Sequence, residues 1–411
     1  MLHLSSDFDP LSSAEPLIVY FDIKSPYAFA AKDPTYALAD ELCCDIDWRP
    51  VTLDIPSYLG SARLDKTGTV AKSNRTPEQW GSVRYAYMDA RRYASAWGYG
   101  LRGTEKIWDT SLVHIAFSWV KHRAPETVRR FLDLAYPRFW LRDLDVENLD
   151  VVTHLIESCG VSSKGFADWA ARDGRVEHDQ QQVAIFSKGI YGVPGYICEG
   201  AYYFGREHLP HLGQIIAGKP AGSLDVGYWL PAPAQIEVLD DGKHRVFLEL
   251  LAAARSNSLE IIAGVNSDCV QTHLALKTLE EIQRAFPQRL SIRYGQVAGQ
   301  ALANSSASEV AEPDHDVVGT IENRGDAHRS FRSRYELMDA RRYEKWREVD
   351  NAELNSKRFA EITIDPEATR QLEAGGISRS FGFLFVEQNQ QAHIFRGRTH
   401  LPLLRWALEN A

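Results

Sequence analysis

Leu17-Ile18-Val19-Tyr20-Phe21-Asp22-Ile23-Lys24-Ser25-Pro26-Tyr27 is the stretch whose reading decides the fold. It opens as a short apolar run rich in strand formers. Ser25-Pro26 then supplies a helix N-cap with proline at the first helical position, and a helical pattern follows to about Leu42. Ile46 to Val51 alternates as a second strand, which completes a β-α-β unit with parallel strands.

Beyond that unit, residues from about Pro77 to Cys159 read as helices over Arg84 to Tyr99, Trp108 to His122, Pro125 to Trp140 and Leu149 to Ser158. This predicts a helical block inserted into an α/β unit. Gly195 to Cys198 and Ala201 to Phe204 flank Glu199-Gly200 as a hairpin, and Leu209 to Ala217 reads as a closing helix. Residues 218 to 235 carry Gly218, Pro220, Gly222, Pro231 and Pro233, the composition of a linker.

After the linker the pattern starts again. Leu259 to Gly264 is a strand, a helix runs to about Phe286, and Leu290 to Tyr294 is another strand. Residues 299 to 328 are polar and irregular and predict a long surface loop with disorder. Two repeated motifs support a duplication. Arg84-Tyr85-Ala86-Tyr87-Met88-Asp89-Ala90-Arg91-Arg92-Tyr93 returns as Arg334-Tyr335-Glu336-Leu337-Met338-Asp339-Ala340-Arg341-Arg342-Tyr343, eight identities in ten, and Gly205-Arg206-Glu207-His208-Leu209-Pro210 returns as Gly397-Arg398-Thr399-His400-Leu401-Pro402. Laying Leu17 on Leu259 without gaps places Ser25 on Ser267; laying Gly189 on Gly376 places Pro194 on Phe381 and Val193 on Ser380. Glu207 meets Thr399. The second half therefore keeps the scaffold and loses the chemistry-bearing residues, which assigns residues 236–411 to packing or assembly.

Composition narrows the partners. The 411 residues carry 46 Lys plus Arg against 55 Asp plus Glu, a net charge of −9 that offers no footprint for nucleic acid or an anionic membrane. No run of about 18 apolar residues exists and the N-terminus is acidic, so a cytoplasmic protein acting on a small molecule is expected. Cys43, Cys44, Cys159, Cys198 and Cys269 form no C-x-x-C pair and are expected to be reduced and mostly structural. His208, His211 and His400 have no carboxylate or cysteine at metal-ligand spacing, so no metal site is expected. The tryptophans of the helical block (Trp80, Trp97, Trp108, Trp119, Trp140) are expected in the core, with one or two facing a pocket for a flat aromatic ligand.

The first 220 residues resemble the thioredoxin-like family of 2-hydroxychromene-2-carboxylate isomerases and kappa-class glutathione transferases, relatives of the DsbA oxidoreductases. The resemblance lies in Val19 to Tyr27, Lys66-Thr67-Gly68, Ser73-Asn74-Arg75-Thr76-Pro77, Arg84 to Trp97, Gly189 to Pro194 and Phe204 to Pro210. It implies an α/β architecture: a thioredoxin-like domain over 1–220 with a helical insertion at about 77–185, a linker over 221–235, and a second, shortened thioredoxin-like domain over 236–411.

It also implies roles. Ser25 would donate its hydroxyl to the thiolate of bound glutathione, at a helix N-terminus that favours an anion; the same residue is equally an ordinary N-cap. Val193-Pro194 would be a cis step that offers the Val193 backbone to the cysteinyl part of glutathione, or a plain turn proline. Glu207 would meet the γ-glutamyl ammonium, with Arg206 beside it, and Asn74 would lie next to the thiol, or serve as a turn residue. Ser82 stands where the family often has a lysine, so one carboxylate contact to glutathione would be missing. The implied activity is glutathione-dependent isomerisation of a conjugated aromatic keto acid. The alternatives are a kappa-type glutathione transferase and a non-catalytic binding or assembly module, with the two halves as an internal pseudo-dimer or the chain as a homodimer.

Overall fold

The structure is a computed structural model that describes residues 8–219, 225–239, 242–298, 324–347, 361–377, 381–387 and 391–411. It divides into two compact units. The first runs to Arg206 and takes in the segment ending at Ser333; the second starts at Glu207 and resumes at Arg334. This differs from the expected boundary at 220. Val226 is buried against Leu274 and Tyr343, and the Gly227 N–H donates to the Glu207 carbonyl at 2.8 Å, so part of the expected linker is packed core.

The first unit is built on β1 (Leu17–Phe21), α1 (Pro26–Leu42) and β2 (Ile46–Pro50), the predicted β-α-β. The short helix α2 (Ile55–Leu59) follows, then a hairpin of β3 (Ala62–Leu64) and β4 (Val70–Ser73) that the sequence pattern does not announce. The helical block is α3 (Pro77–Ala96), α4 (Ser111–Arg123), α5 (Val128–Trp140), α6 (Leu149–Ser158), α7 (Phe166–Ala171) and α8 (Asp173–Ser187). The hairpin β5 (Gly195–Cys198) and β6 (Ala201–Phe204) closes the sheet, with Glu199 and Gly200 both at positive φ as its two-residue turn requires. The strand order is β2-β1-β5-β6, with β1 parallel to β2 and antiparallel to β5.

Strand β1 is fully buried because helices cover it: Phe21 meets Phe117 of α4 edge-on at 4.9 Å, and Phe29 of α1 stacks on Tyr136 of α5 at 5.4 Å. Aromatic pairs in these geometries contribute about 0.5–1.5 kcal/mol beyond their area.

The second unit comprises α9 (Leu209–Ile216), α10 (Pro233–Glu237), α11 (Arg245–Arg255), β7 (Leu259–Val265), α12 (Val270–Ala285), β8 (Leu290–Gln296), the later part of α13 (Arg324–Trp346), α14 (Pro366–Ala374), β9 (Gly382–Val386), β10 (Ala392–Arg396) and α15 (Pro402–Glu409). Its strand order, β10-β9-β7-β8, repeats the first sheet element for element. The Gly205 N–H donates to Pro194 O at 2.9 Å, and Gly397 N–H donates to Phe381 O at 2.9 Å, so Phe381 stands at the place of Pro194 as the overlay expects. Ser380 and most of the loop expected at 299–328 lie outside the described residues, but Arg324 to His328 is helical and not loop.

Candidate functional site

Ser25 is the N-cap of α1, with extended backbone (φ −87°, ψ 116°), and its Oγ accepts the Ala28 N–H at 3.2 Å. The same hydroxyl points at the Val193 carbonyl, to which it donates over a long 3.4 Å. The Val193–Pro194 bond is cis. Ser25 and Val193 are both buried, so one hydroxyl serves as helix cap and as neighbour of the loop ahead of β5. Four residues of the expected set are thereby placed: Ser25, Val193 and Pro194 come together, while Asn74 does not join them. The Asn74 Oδ1 accepts from the Ser61 N–H at 2.6 Å and ties the ends of the β3–β4 hairpin.

Arg206 is 3% exposed, its guanidinium 4.4 Å over the Tyr93 ring and 3.6 Å from Asp89 Oδ2. The second unit repeats this clamp, with Arg398 at 4.7 Å over Tyr343. The two repeated motifs are thus halves of one packing device, an arginine after the hairpin stacked on the last tyrosine of the helix, and Arg206 reads as part of it. Glu207 begins the second unit, where its charge acts on Arg398 and Asp339. His208 there bonds Tyr343 Oη at 2.9 Å and Tyr335 Oη at 3.0 Å.

Behind Ser25 the sequence reading missed a buried polar cluster. Asp22, fully buried, accepts from Lys24 N–H (3.1 Å), Thr110 Oγ1 (2.8 Å) and Leu53 N–H (2.8 Å), with Lys24 Nζ at 3.5 Å and His114 Nε2 at 3.4 Å. Burial opposes its charge, yet Lys24, His114 and the Leu53 N–H together hold its carboxyl far below the usual range. The only sequence signal was a lone histidine inside the apolar run of α4 and an acid in the β1–α1 turn. A crevice of about 20 Å³, room for one water, lies alongside, lined by Thr52, Leu53, Tyr58, Gln182, Tyr191 and Arg324 among others.

The hydrogen bonds also correct the expected overlay of Ser25 on Ser267. Gly195 pairs with Tyr20 in the first sheet and Gly382 with Gly264 in the second. Counting on from these pairs, Ser25 corresponds to Cys269, the N-cap of α12, and Asp22 to Asn266. The ungapped overlay failed because β7 begins two residues earlier in the frame than β1.

Residues 16–217 match the sequence model of the DsbA-like thioredoxin domain. Among solved structures, it is similar to a 2-hydroxychromene-2-carboxylate isomerase at 18% identity (TM-score 0.40, 49% of this chain and 94% of that one). It is also similar to a probable DsbA oxidoreductase from Streptomyces coelicolor at 14% identity (TM-score 0.39, 53% of this chain and 97% of that one). A comparison with curated proteins finds no match. Among the described residues no group of His, Cys, Asp or Glu is placed to hold a metal, and no helix is long and apolar enough to cross a membrane.

Proposed function

We propose that the first unit is a glutathione-dependent isomerase acting on a conjugated aromatic keto acid, with Ser25 as the residue that holds the thiolate. One observation carries this reading: the Ser25 hydroxyl lies between the N-terminus of α1 and the Val193 carbonyl, at the end of β1 in a DsbA-like domain, where a serine can donate to sulfur but cannot form a disulfide. Bound glutathione would supply a thiolate able to add to a conjugated double bond and leave again after rotation.

The residues present fit such a group. The 3.4 Å bond to Val193 is long enough for the hydroxyl to exchange it for a sulfur acceptor, and the helix end favours negative charge there. The Val193 backbone, next to β5, is placed to pair with an extended peptide such as a cysteinyl unit. Lys24, 7% exposed, adds a cation beside Ser25 in the chain. Of the other expected contacts, Asn74 is engaged within the β3–β4 hairpin and Glu207 belongs to the second unit. The matching strand order of the second unit supports an internal duplication in which that unit serves assembly.

A second reading, thiol transfer to an electrophile, needs the same groups without a return step. Incubation with glutathione and conjugated aromatic keto acids separates them. Cis–trans conversion with glutathione recovered unchanged supports the isomerase; a stable thioether product supports the transferase; neither, in the presence of bound glutathione, would leave a binding module.

A further inference from the structure

The first turns of α13, as far as Ser333, belong to the first unit and lie against α2 and the loop ahead of β5. A Cβ on Gly325 would collide with the Ser57 carbonyl, so glycine is what lets the helix sit this close. Phe331 meets Phe186 edge-on at 5.3 Å. The His328 ring stacks on Tyr58 at 3.9 Å with 6° between the planes, and Tyr191 stands edge-on to it at 5.2 Å. His328 therefore fills a slot with aromatic walls. Tyr191 is two residues ahead of Val193, so their Cα atoms are at most about 7.6 Å apart, and Val193 O is the atom to which Ser25 donates. One wall of the slot thus stands next to the Ser25 contact.

The slot suits another ring better than this imidazole. Phe331 is the one large apolar side chain between Arg324 and Ser333, so little buried area holds these turns in place. Burial pushes His328 down to about 4, and Arg332, Arg329 and Arg324 add to that push against a hydrogen bond with the Tyr191 backbone. The fit is also incomplete, because the crevice of about 20 Å³ shares Tyr58, Tyr191 and Arg324 with the slot. A ring larger than imidazole would fill both. Arg324 holds its guanidinium 4.7 Å over the Phe186 ring, lines the crevice, and pairs with no carboxylate among the described residues. Asp54 shares that lining, but Arg324 and Arg332 together outweigh it, Arg329 being paired with Asp326. Aromatic walls under a net positive charge match a flat ring that carries an anion.

We propose that this slot is a binding site for an aromatic carboxylic acid: the ring lies between Tyr58 and Tyr191 in place of the His328 imidazole, which swings out, and the Arg324 guanidinium receives the carboxylate. Gly325 against Ser57 and Phe331 against Phe186 hold the helix where it is, so Arg324 stays over the slot while His328 turns away. His328 is then a gate, and Arg324 selects acids over neutral rings. The link between this ligand and the substrate rests on the function proposed above.

The test is calorimetric titration of trans-cinnamate and of its neutral amide into wild type, His328→Ala and Arg324→Gln. Cinnamate should bind wild type. His328→Ala, with the slot already open, should bind both probes at least about threefold more tightly, since no blocked state competes. Arg324→Gln should weaken cinnamate about tenfold or more and leave the amide unchanged. In wild type the His328 ring protons, which lie over the Tyr58 face, should lose their upfield ring-current shift in the proton NMR spectrum as cinnamate is added, a readout that stands even if His328→Ala does not fold. Cinnamate that fails to bind, that leaves the His328 ring protons unmoved, or that binds Arg324→Gln as well as wild type would overturn the proposal. Glutathione titrated into the same samples reports on the proposed function separately. Failure of cinnamate where glutathione binds removes the slot alone, and failure of glutathione removes that function whatever cinnamate does.

Discussion

Ser25 and Cys269 hold the same position in two strand-to-helix turns that agree bond for bond. Ser25 N–H donates to Asp22 O at 2.9 Å and Cys269 N–H to Asn266 O at 3.3 Å; Phe29 N–H donates to Ser25 O at 3.0 Å and His273 N–H to Cys269 O at 3.2 Å. Only Ser25 also caps its helix with its side chain. The backbone of the site is therefore generic to both units, and the side chains added to it are what set the first unit apart.

Replacing Ser25 separates its two roles. Ser25→Ala removes a cap of about 1 kcal/mol, a loss of a few degrees in Tm, and should lower turnover by about a hundredfold or more, the scale of one preorganised donor at a developing or fixed anion. Ser25→Asp keeps a capping oxygen and places a negative charge where the proposed thiolate would lie. It should bind no glutathione. Thermal melts paired with binding assays check both.

Arg206 should act on stability. Its guanidinium lies over Tyr93 and beside the buried Asp89, so Arg206→Met takes a cation from a carboxylate that is 1% exposed. The expected cost in urea unfolding is about 3–5 kcal/mol. Arg398→Met in the second unit should cost a similar amount, since Arg398 stacks on Tyr343 and pairs with Asp225. A weakened glutathione affinity in Arg206→Met with unchanged stability would reverse the assignment.

Acid should destabilise the fold well above the carboxylate range. Burial pushes His178, His211 and His328 each down from 6.5 to about 4. Between those values the unfolded chain binds protons that the folded chain refuses, so the stability these rings contribute is complete above pH 6.5 and is lost as the pH falls to 4. Asp339, pushed up to about 7 by burial and by Glu207, runs the other way: its contribution is complete below about 4 and is lost as the pH rises to 7. Three groups oppose one, and unfolding midpoints should drop from pH 7 to pH 4.5. His328→Gln, which keeps a flat polar group against Tyr58, should flatten the slope.

Thiol reactivity should be graded. Cys43 is exposed; Cys159, Cys198 and Cys269 are buried, and burial raises the Cys159 and Cys198 thiols to about 11. A bulky disulfide reagent on the native protein should label Cys43 first and reach the buried three only on unfolding, as mass spectrometry of timed aliquots would show.

Much of this fold was legible because its signals are local. The apolar run at Leu17, the cap at Ser25-Pro26 and the Glu199-Gly200 turn each specify backbone geometry within a few residues, and β1, α1, β5 and β6 appear where they predict. What failed was long-range. Nothing near Asp22 in the chain announces His114 or His178, which reach it only because α4 and α8 pack on that end of the sheet. The repeated Arg-Tyr and Gly-Arg motifs were visible, but their common purpose, the stacking of Arg206 on Tyr93 and of Arg398 on Tyr343, required the fold to bring each pair together. The overlay of Ser25 on Ser267 shows the same limit, because register is set by cross-strand bonds and not by matching apolar runs.

Calorimetric titration of glutathione at low millimolar concentration into wild type and Ser25→Ala tests the central claim most directly. The account predicts one-to-one binding to wild type, with thiol proton release that Ser25→Ala abolishes or shifts to higher pH. Absence of binding to wild type, or identical binding and proton release in both proteins, would contradict it.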